Sequence, residues 1–264
     1  MNFVENIGRV ILTTARQALE VLTLLFETLY WIVVGPFKKK LPKREGIFSQ
    51  MVFVGVGSFI IAFFVAFFTG IVIAMQSAYQ LSRFGANIYV APMVAVGIAR
   101  ELGPVLTALV VAGRVGAAIT AEIGTMKVTE QIEALETMAL NPIRFLVVPR
   151  FLALLIMLPC LTIMADMMGI LGGFIVGVFN LRLDPYRYLT FSFKYMALKD
   201  VWTGLVKSVV FGITIAMIGC YMGLKTKGGA EGVGKATTLS VVTSFILIIL
   251  FDCVLTGLFY FMDK

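Results

Sequence analysis

Arg100 and Glu101 stand side by side in the segment GIARELGP, in the middle of an apolar stretch covering residues 87–121. An ionisable group at mid-bilayer costs about 2.5–3.5 kcal/mol on insertion scales, so such residues are kept for a reason. Two outcomes are open to them. They form a buried structural pair, or they line a wet cavity and meet a polar head group. Adjacent helical residues project about 100° apart, so both cannot face one neighbour squarely. Gly103 and Pro104 follow at once, and a proline removes a helix hydrogen bond and invites a kink. Lys207 and Asp252 form a second possible pair. Each lies in a later apolar stretch, six and nine residues from the same end, so their depths agree within about 5 Å at 1.5 Å per residue. The expectation for Lys207 and Asp252 is a structural ion pair.

Other chemistries drop out. The chain has no histidine, which removes His-ligated metals, Ser-His-Asp triads and histidine proton relays. Cys160, Cys220 and Cys253 lie inside apolar stretches, where structural thiols are the expectation. Gly229 to Lys235 (GAEGVGK) matches the first seven positions of a phosphate-binding P-loop. Position 236 is alanine where magnesium coordination needs Ser or Thr, and no strand precedes it. No catalytic residue, cofactor or metal is expected.

The elements that must hold these charges are set by composition. Of 264 residues, 59% are hydrophobic and 14% charged, with a mean hydropathy of +0.97. Soluble domains are about 45–50% apolar and 25% charged. From Met51 to Ser82 there is no charged residue at all, well beyond the ~20 residues that cross a bilayer. The fold expected is an all-α integral membrane protein. Five spans are expected near 50–82, 87–121, 146–180, 201–224 and 237–261. Residues 3–34 differ, because Glu5, Arg9, Arg16, Glu20 and Glu27 interrupt them. These five fall within an arc of about 60°, the pattern of a helix lying in the membrane interface. Pro36, Lys38, Lys39, Lys40, Pro42, Lys43 and Arg44 then form a basic linker. The division expected is residues 1–44, interfacial helix and linker, and residues 45–264, a five-span domain.

The net charge of +7 reads as basic loops facing anionic lipid, with no nucleic acid implied. An N-terminus inside the cell places eleven Lys and Arg in the inner loops and five in the outer ones, which favours N-inside, C-outside. Residues 126–140 (MKVTEQIEALETMAL) form a short amphipathic helix between two spans. Its acidic face carries Glu130, Glu133 and Glu136, and Asn141-Pro142 ends it. Such a helix suits docking on a soluble partner or simply lies solvated. Gly113, Gly116, Ala117, Thr120, Ala121 and Gly124 place small residues where helices can approach closely.

The run from Ala99 to Arg150, beginning ARELGPVLTALVVAGRVGAAITAEIG, closely resembles the MlaE/YrbE permease family, the membrane subunits of Mce-associated ABC transporters that move lipids. KSVVF (207–211), EGVGKATT (231–238) and FDCVLT (251–256) resemble it too. The resemblance implies a homodimer in a bacterial inner membrane, moving phospholipid between that membrane and the outer envelope. It implies an ABC ATPase dimer below, an MCE-domain hexamer above and, in some complexes, a STAS-domain subunit. ATP hydrolysis would belong to the partner, so this chain is not expected to be an enzyme. By the same analogy the 127–139 helix is a coupling helix, with Glu130, Gln131, Glu133, Leu135 and Met138 contacting the ATPase. Arg100 and Glu101 would line the lipid pocket, Glu101 orienting Arg100, with Gln76, Tyr79 and Leu81 as further lining residues. The N-terminus would be cytoplasmic and the C-terminus periplasmic.

Two other classes compete. A secondary transporter or channel working without an ATPase would need discontinuous helices or a relay of ionisable groups, and only scattered charges are present. A lipid-modifying enzyme would need a nucleophile and base in one cluster.

Overall fold

The computed structural model describes residues 3–37 and 44–262, and they are almost entirely helical. Glu5 and Arg9, and most of the basic linker, lie outside the residues whose side chains are described. The first helix, α1 (Phe3–Phe37), is followed by α2 (Arg44–Leu81). A composite span then links α3 (Val90–Gly97), α4 (Gly103–Val111) and α5 (Ala117–Val128) through two π-helical turns, Ile98–Leu102 and Ala112–Gly116. The short α6 (Gln131–Thr137) leads to α7 (Val148–Ile175), α8 (Pro185–Tyr195), α9 (Leu198–Leu224) and α10 (Gly229–Met262). Six stretches among the described residues are long and apolar enough to cross a bilayer.

Close helix packing, not a soluble-type core, joins the spans. α2 and α7 run against each other at backbone distance. A Cβ on Gly70 would lie 1.9 Å from the Gly169 carbonyl oxygen, and one on Gly172 would lie 2.3 Å from that of Phe67. Only glycine permits such an approach, and in lipid van der Waals contact is the main force that joins helices. α9 is the most enclosed span, packed by α5, α7 and α10 around Ile119, Ile123, Leu154, Leu158, Phe211 and Ile215. Thr120 links three helices, its hydroxyl lying 3.1 Å from the Gly219 carbonyl oxygen and 2.8 Å from Ser240 Oγ. Gly116 meets Ile215, and Gly124 meets Thr226.

α1 touches the bundle at one end. Glu20 accepts hydrogen bonds from Tyr221 Oη (2.8 Å) and Lys225 Nζ, at the close of α9. Eleven residues on, Trp31 sits under the Arg144 guanidinium at 5.7 Å, just before α7. The close of α9 and the approach to α7 lie at the same end of the bundle, because successive spans alternate in direction. α1 therefore crosses that end. Leu12, Leu19, Phe26 and Val33 recur at heptad spacing on its exposed side.

Three features of this architecture differ from the sequence expectation in ways that bear on function. α10 begins at Gly229, eight residues earlier than expected, so the P-loop-like stretch is helical and Glu231 pairs with Lys235 one turn on (2.7 Å). A P-loop is a strand-to-helix loop with Ser or Thr after its lysine, whereas here the stretch is itself the first two turns of a helix and Ala follows Lys235. The helix between the second and third spans covers 131–137 only. Residues 126–128 still belong to α5, and Glu130 turns the chain with φ +60°. The kink expected at Pro104 is a π-helical turn.

Candidate functional site

The π-turn Ile98–Leu102 follows from Pro104. Proline has no N–H to give the Arg100 carbonyl, and the Gly103 N–H reaches back five residues to the Ile98 oxygen. Such one-turn insertions recur at functional sites. The turn swings Arg100 and Glu101 toward different stations on α9.

Arg100 Nη1 lies 3.2 Å from Asp200 Oδ1. Asp200 is in the first turn of α9, where its Oδ2 also accepts the Ala197 N–H at 3.0 Å. A carboxylate there satisfies an orphan amide and complements the helix dipole. Two turns further along α9, Lys207 is fully buried. Its Nζ pairs with Glu101 Oε2, lies 2.9 Å from Asp252 Oδ1 on α10 and donates to Thr256 Oγ1 at 2.7 Å. The Thr256 hydroxyl is 3.3 Å from both Glu101 oxygens. One ammonium with three donors thus meets two carboxylates and a hydroxyl. Burial of a lysine in lipid is tolerable only when paired in this way.

Glu101 therefore holds Lys207, and Arg100 is oriented by Asp200. This corrects the expectation that Glu101 orients Arg100. Arg100 keeps 25% of its side-chain surface accessible, whereas Lys207 keeps none. The charges therefore form two stations, Arg100 with Asp200 and, two turns along α9, Lys207 with Glu101 and Asp252, the second joining the composite span, α9 and α10.

The remaining expected residues scatter. Gln76 and Tyr79 are exposed on α2, and the Tyr79 hydroxyl accepts from Arg83 Nη2 at 2.6 Å. Leu81 turns inward against the apolar cluster of Ala74, Val90, Val94 and Ile98. On α6, Leu135 is half-buried and Ile132 anchors the helix to the core. Glu133 pairs with Lys127, whose ammonium holds its carboxyl below the usual carboxylate range. Glu130, Gln131, Glu136 and Met138 face outward.

Three contributors were not anticipated. Asp200 is the third residue after Ala197 and falls just ahead of the span expected from 201, so its place in the first turn of α9 was not read. Thr256 is four residues after Asp252, hence on the same helical face. Arg114 donates to the Phe53 carbonyl (3.1 Å) and to Ser58 Oγ (2.9 Å) across α2, where a Cβ on Gly57 would meet its guanidinium at 2.2 Å.

Apolar spans that bury a paired charge cluster, with a short polar helix between two of them, define a multi-pass α-helical membrane permease. The chain belongs to the MlaE permease family, whose model (Permease MlaE) matches residues 47–258. It is 47% identical over 214 residues to a probable ABC transporter permease protein of Rickettsia typhi, covering 81% of this chain and 83% of that one. A probable ABC transporter permease protein of Synechocystis is 43% identical, with 82% of each chain covered. The intermembrane phospholipid transport system permease protein MlaE of Haemophilus influenzae is 34% identical over 98% of each chain.

Proposed function

We propose that this chain is the membrane subunit of an ABC transporter that moves phospholipid between the inner membrane and the outer envelope, driven by a separate ATPase. The observation that carries this reading is its end-to-end similarity to the Haemophilus influenzae intermembrane phospholipid transport permease. The geometry agrees with it. Arg100, paired with Asp200, keeps accessible surface that a phosphate can reach, while Lys207 is fully buried against Glu101 and Asp252. A guanidinium suits phosphate because its planar fork donates two parallel hydrogen bonds. Lipid tails would lie against apolar walls, with Leu81 and the exposed face of α2 bearing Gln76 and Tyr79 among them.

Coupling follows from α6. Its anchored side (Ile132, Leu135) and its outward side (Glu130, Gln131, Glu136, Met138) make a lever that an ATPase dimer closing beneath it would push. The end of the bundle carrying α6 and α1 is then cytoplasmic, with the N-terminus on that side and the C-terminus periplasmic. α1 lies in the interface by this reading. α10 exposes Leu239, Val242, Ile246, Ile249 and Leu250, a face that a second copy of the chain or lipid would cover. A homodimer with an MCE-domain hexamer above it, and a STAS-domain subunit beside the ATPase, completes the assembly.

Reconstitution with its ATPase into proteoliposomes holding fluorescent phospholipid tests the function. ATP-dependent movement of lipid between vesicle and acceptor is the expected result. Movement that proceeds equally without ATPase would return a secondary transporter to the front.

A further inference from the structure

Arg114 is a cation of the spans that meets no carboxylate among the described residues. Arg100 is bonded to Asp200, Lys207 to Glu101 and Asp252, and Arg150 to Glu122 at 2.8 Å. Arg114, on the π-turn Ala112–Gly116, instead lies against α2 in the gap left by Gly57. Its contacts are the Phe53 carbonyl, the Ser58 hydroxyl and the Phe53 ring, whose centre is 5.1 Å from the guanidinium carbon. Both hydrogen bonds leave from Nη1. Of the five N–H donors of an arginine, the three on Nε and Nη2 are unused. Neither nitrogen is among the buried polar atoms without a partner, so both reach the protein surface. Side by side, Nε and Nη2 present the parallel fork with which arginine takes two oxygens of one anion.

The register of Arg114 is set by those bonds. It is level with Phe53 and Ser58 of α2, in a run that carries no charge from Met51 to Ser82. Along its own span the nearest charges are Glu122, eight residues on, and Glu101, thirteen back, about 12 and 20 Å away. The fork therefore opens within the apolar layer, where an unpaired cation is costly. Carboxylates of the spans are engaged or enclosed, Glu101 and Asp252 on Lys207, Glu122 on Arg150, and Asp166 packed on Gly103. A second copy of the chain thus offers no free carboxylate at this level. Phe53, Val56 and Ile60, on one face of α2 by their spacing, are exposed. That surface suits acyl chains and repels a hydrated ion, so the anion that fits is the phosphate of a lipid.

We infer that Arg114 is a holding site for the phosphate of a phospholipid, Nε and Nη2 donating to two phosphate oxygens while the acyl chains lie along α2. Arg100 is fourteen residues away on the same span, about 20 Å. Two guanidinium groups at different levels of one span give a moving phosphate two resting points in a layer that otherwise repels it. The inference rests on the permease reading for this place in a lipid path, whereas binding itself requires only the fork.

The test is native mass spectrometry of the full chain in detergent carrying equal phosphatidylglycerol and diacylglycerol with the same chains. Arg100→Ala is the background, so that phosphate held at Arg100 does not contribute. R100A should retain phosphatidylglycerol over diacylglycerol by about tenfold, the scale of one charge-assisted contact. Adding Arg114→Gln should return the ratio to that of the micelle. Adding Gly57→Ala instead puts a methyl group 2.2 Å from Nη2, which pushes the fork aside and keeps the charge. It should lower the enrichment as well, and it covers the case in which R114Q fails to fold. Excess inorganic phosphate should displace no lipid. A micelle ratio in R100A, an enrichment unchanged in both further variants, or displacement by inorganic phosphate overturns the site. Enrichment without ATP-driven lipid movement by the wild-type complex would instead sink the permease reading and leave the site standing.

Discussion

Lys207 Nζ lies 2.9 Å from Asp252 Oδ1 across the α9–α10 contact, and the same ammonium pairs with Glu101 on the composite span. Three helices that approach one another through apolar surface are thereby held in register by a single buried charge. Removal of that charge leaves two carboxylates facing each other away from water. Lys207→Met should destabilise the protein by about 3–5 kcal/mol, the range seen when one partner of a buried ion pair is deleted. Combining it with Glu101→Gln and Asp252→Asn should restore much of the loss. Thermal unfolding of the purified variants in detergent checks both; an additive triple variant would show that the cluster does not act as a unit.

Arg100 and Asp200 divide two jobs. Arg100→Ala should abolish lipid transport while the complex still assembles, because α9 keeps its cap. Asp200→Asn loses the ion pair and weakens the first turn of α9, costing about 1 kcal/mol as N-terminal caps do. Transport by D200N should fall less than by R100A. Equal transport by R100A and wild type would remove Arg100 from the lipid path.

The α2–α7 contact depends on missing side chains. Gly70→Ala forces a methyl group into the Gly169 carbonyl, a backbone atom with no freedom to move aside. The expected loss is about 3 kcal/mol, the upper end for overpacking. Gly97→Ala is the control, since nothing lies within 4 Å of its added carbon. Comparing the two melting temperatures separates packing from helix propensity, which alone would favour alanine at both positions.

α6 should be pH-sensitive in one direction. Lys127 depresses the Glu133 carboxyl, so the tether is present above the ordinary glutamate range and is lost as acid protonates Glu133. Hydrogen exchange of the α6 amides, corrected for intrinsic rate, should be flat from neutral to mildly acidic pH and accelerate only below the ordinary glutamate range. Glu133→Gln should show fast exchange throughout. A step that survives this substitution would belong to another group.

Hydropathy alone determined much of this architecture. The length and apolarity of the spans leave only helices, because lipid offers backbone groups no other partner. The intramembrane charges Arg100, Glu101, Lys207 and Asp252 were visible as exceptions to that apolarity, whereas the helix expected to run up to Asn141-Pro142 stops at Thr137. Proton and metal chemistry through histidine was excluded by composition.

What the tertiary structure decided is which charge meets which. Arg100 and Glu101 were neighbours with undetermined partners until the π-turn before Pro104 aimed one at Asp200 and the other at Lys207. The rotation of each helix about its own axis is set by close backbone contacts such as Gly70 with Gly169. Apolar residues on every side of a span leave that rotation unspecified in the sequence. Arg114 shows the same limit. Its letter is readable in the composite span, but its contacts with Phe53 and Ser58 exist only because Gly57 leaves room for the guanidinium against α2.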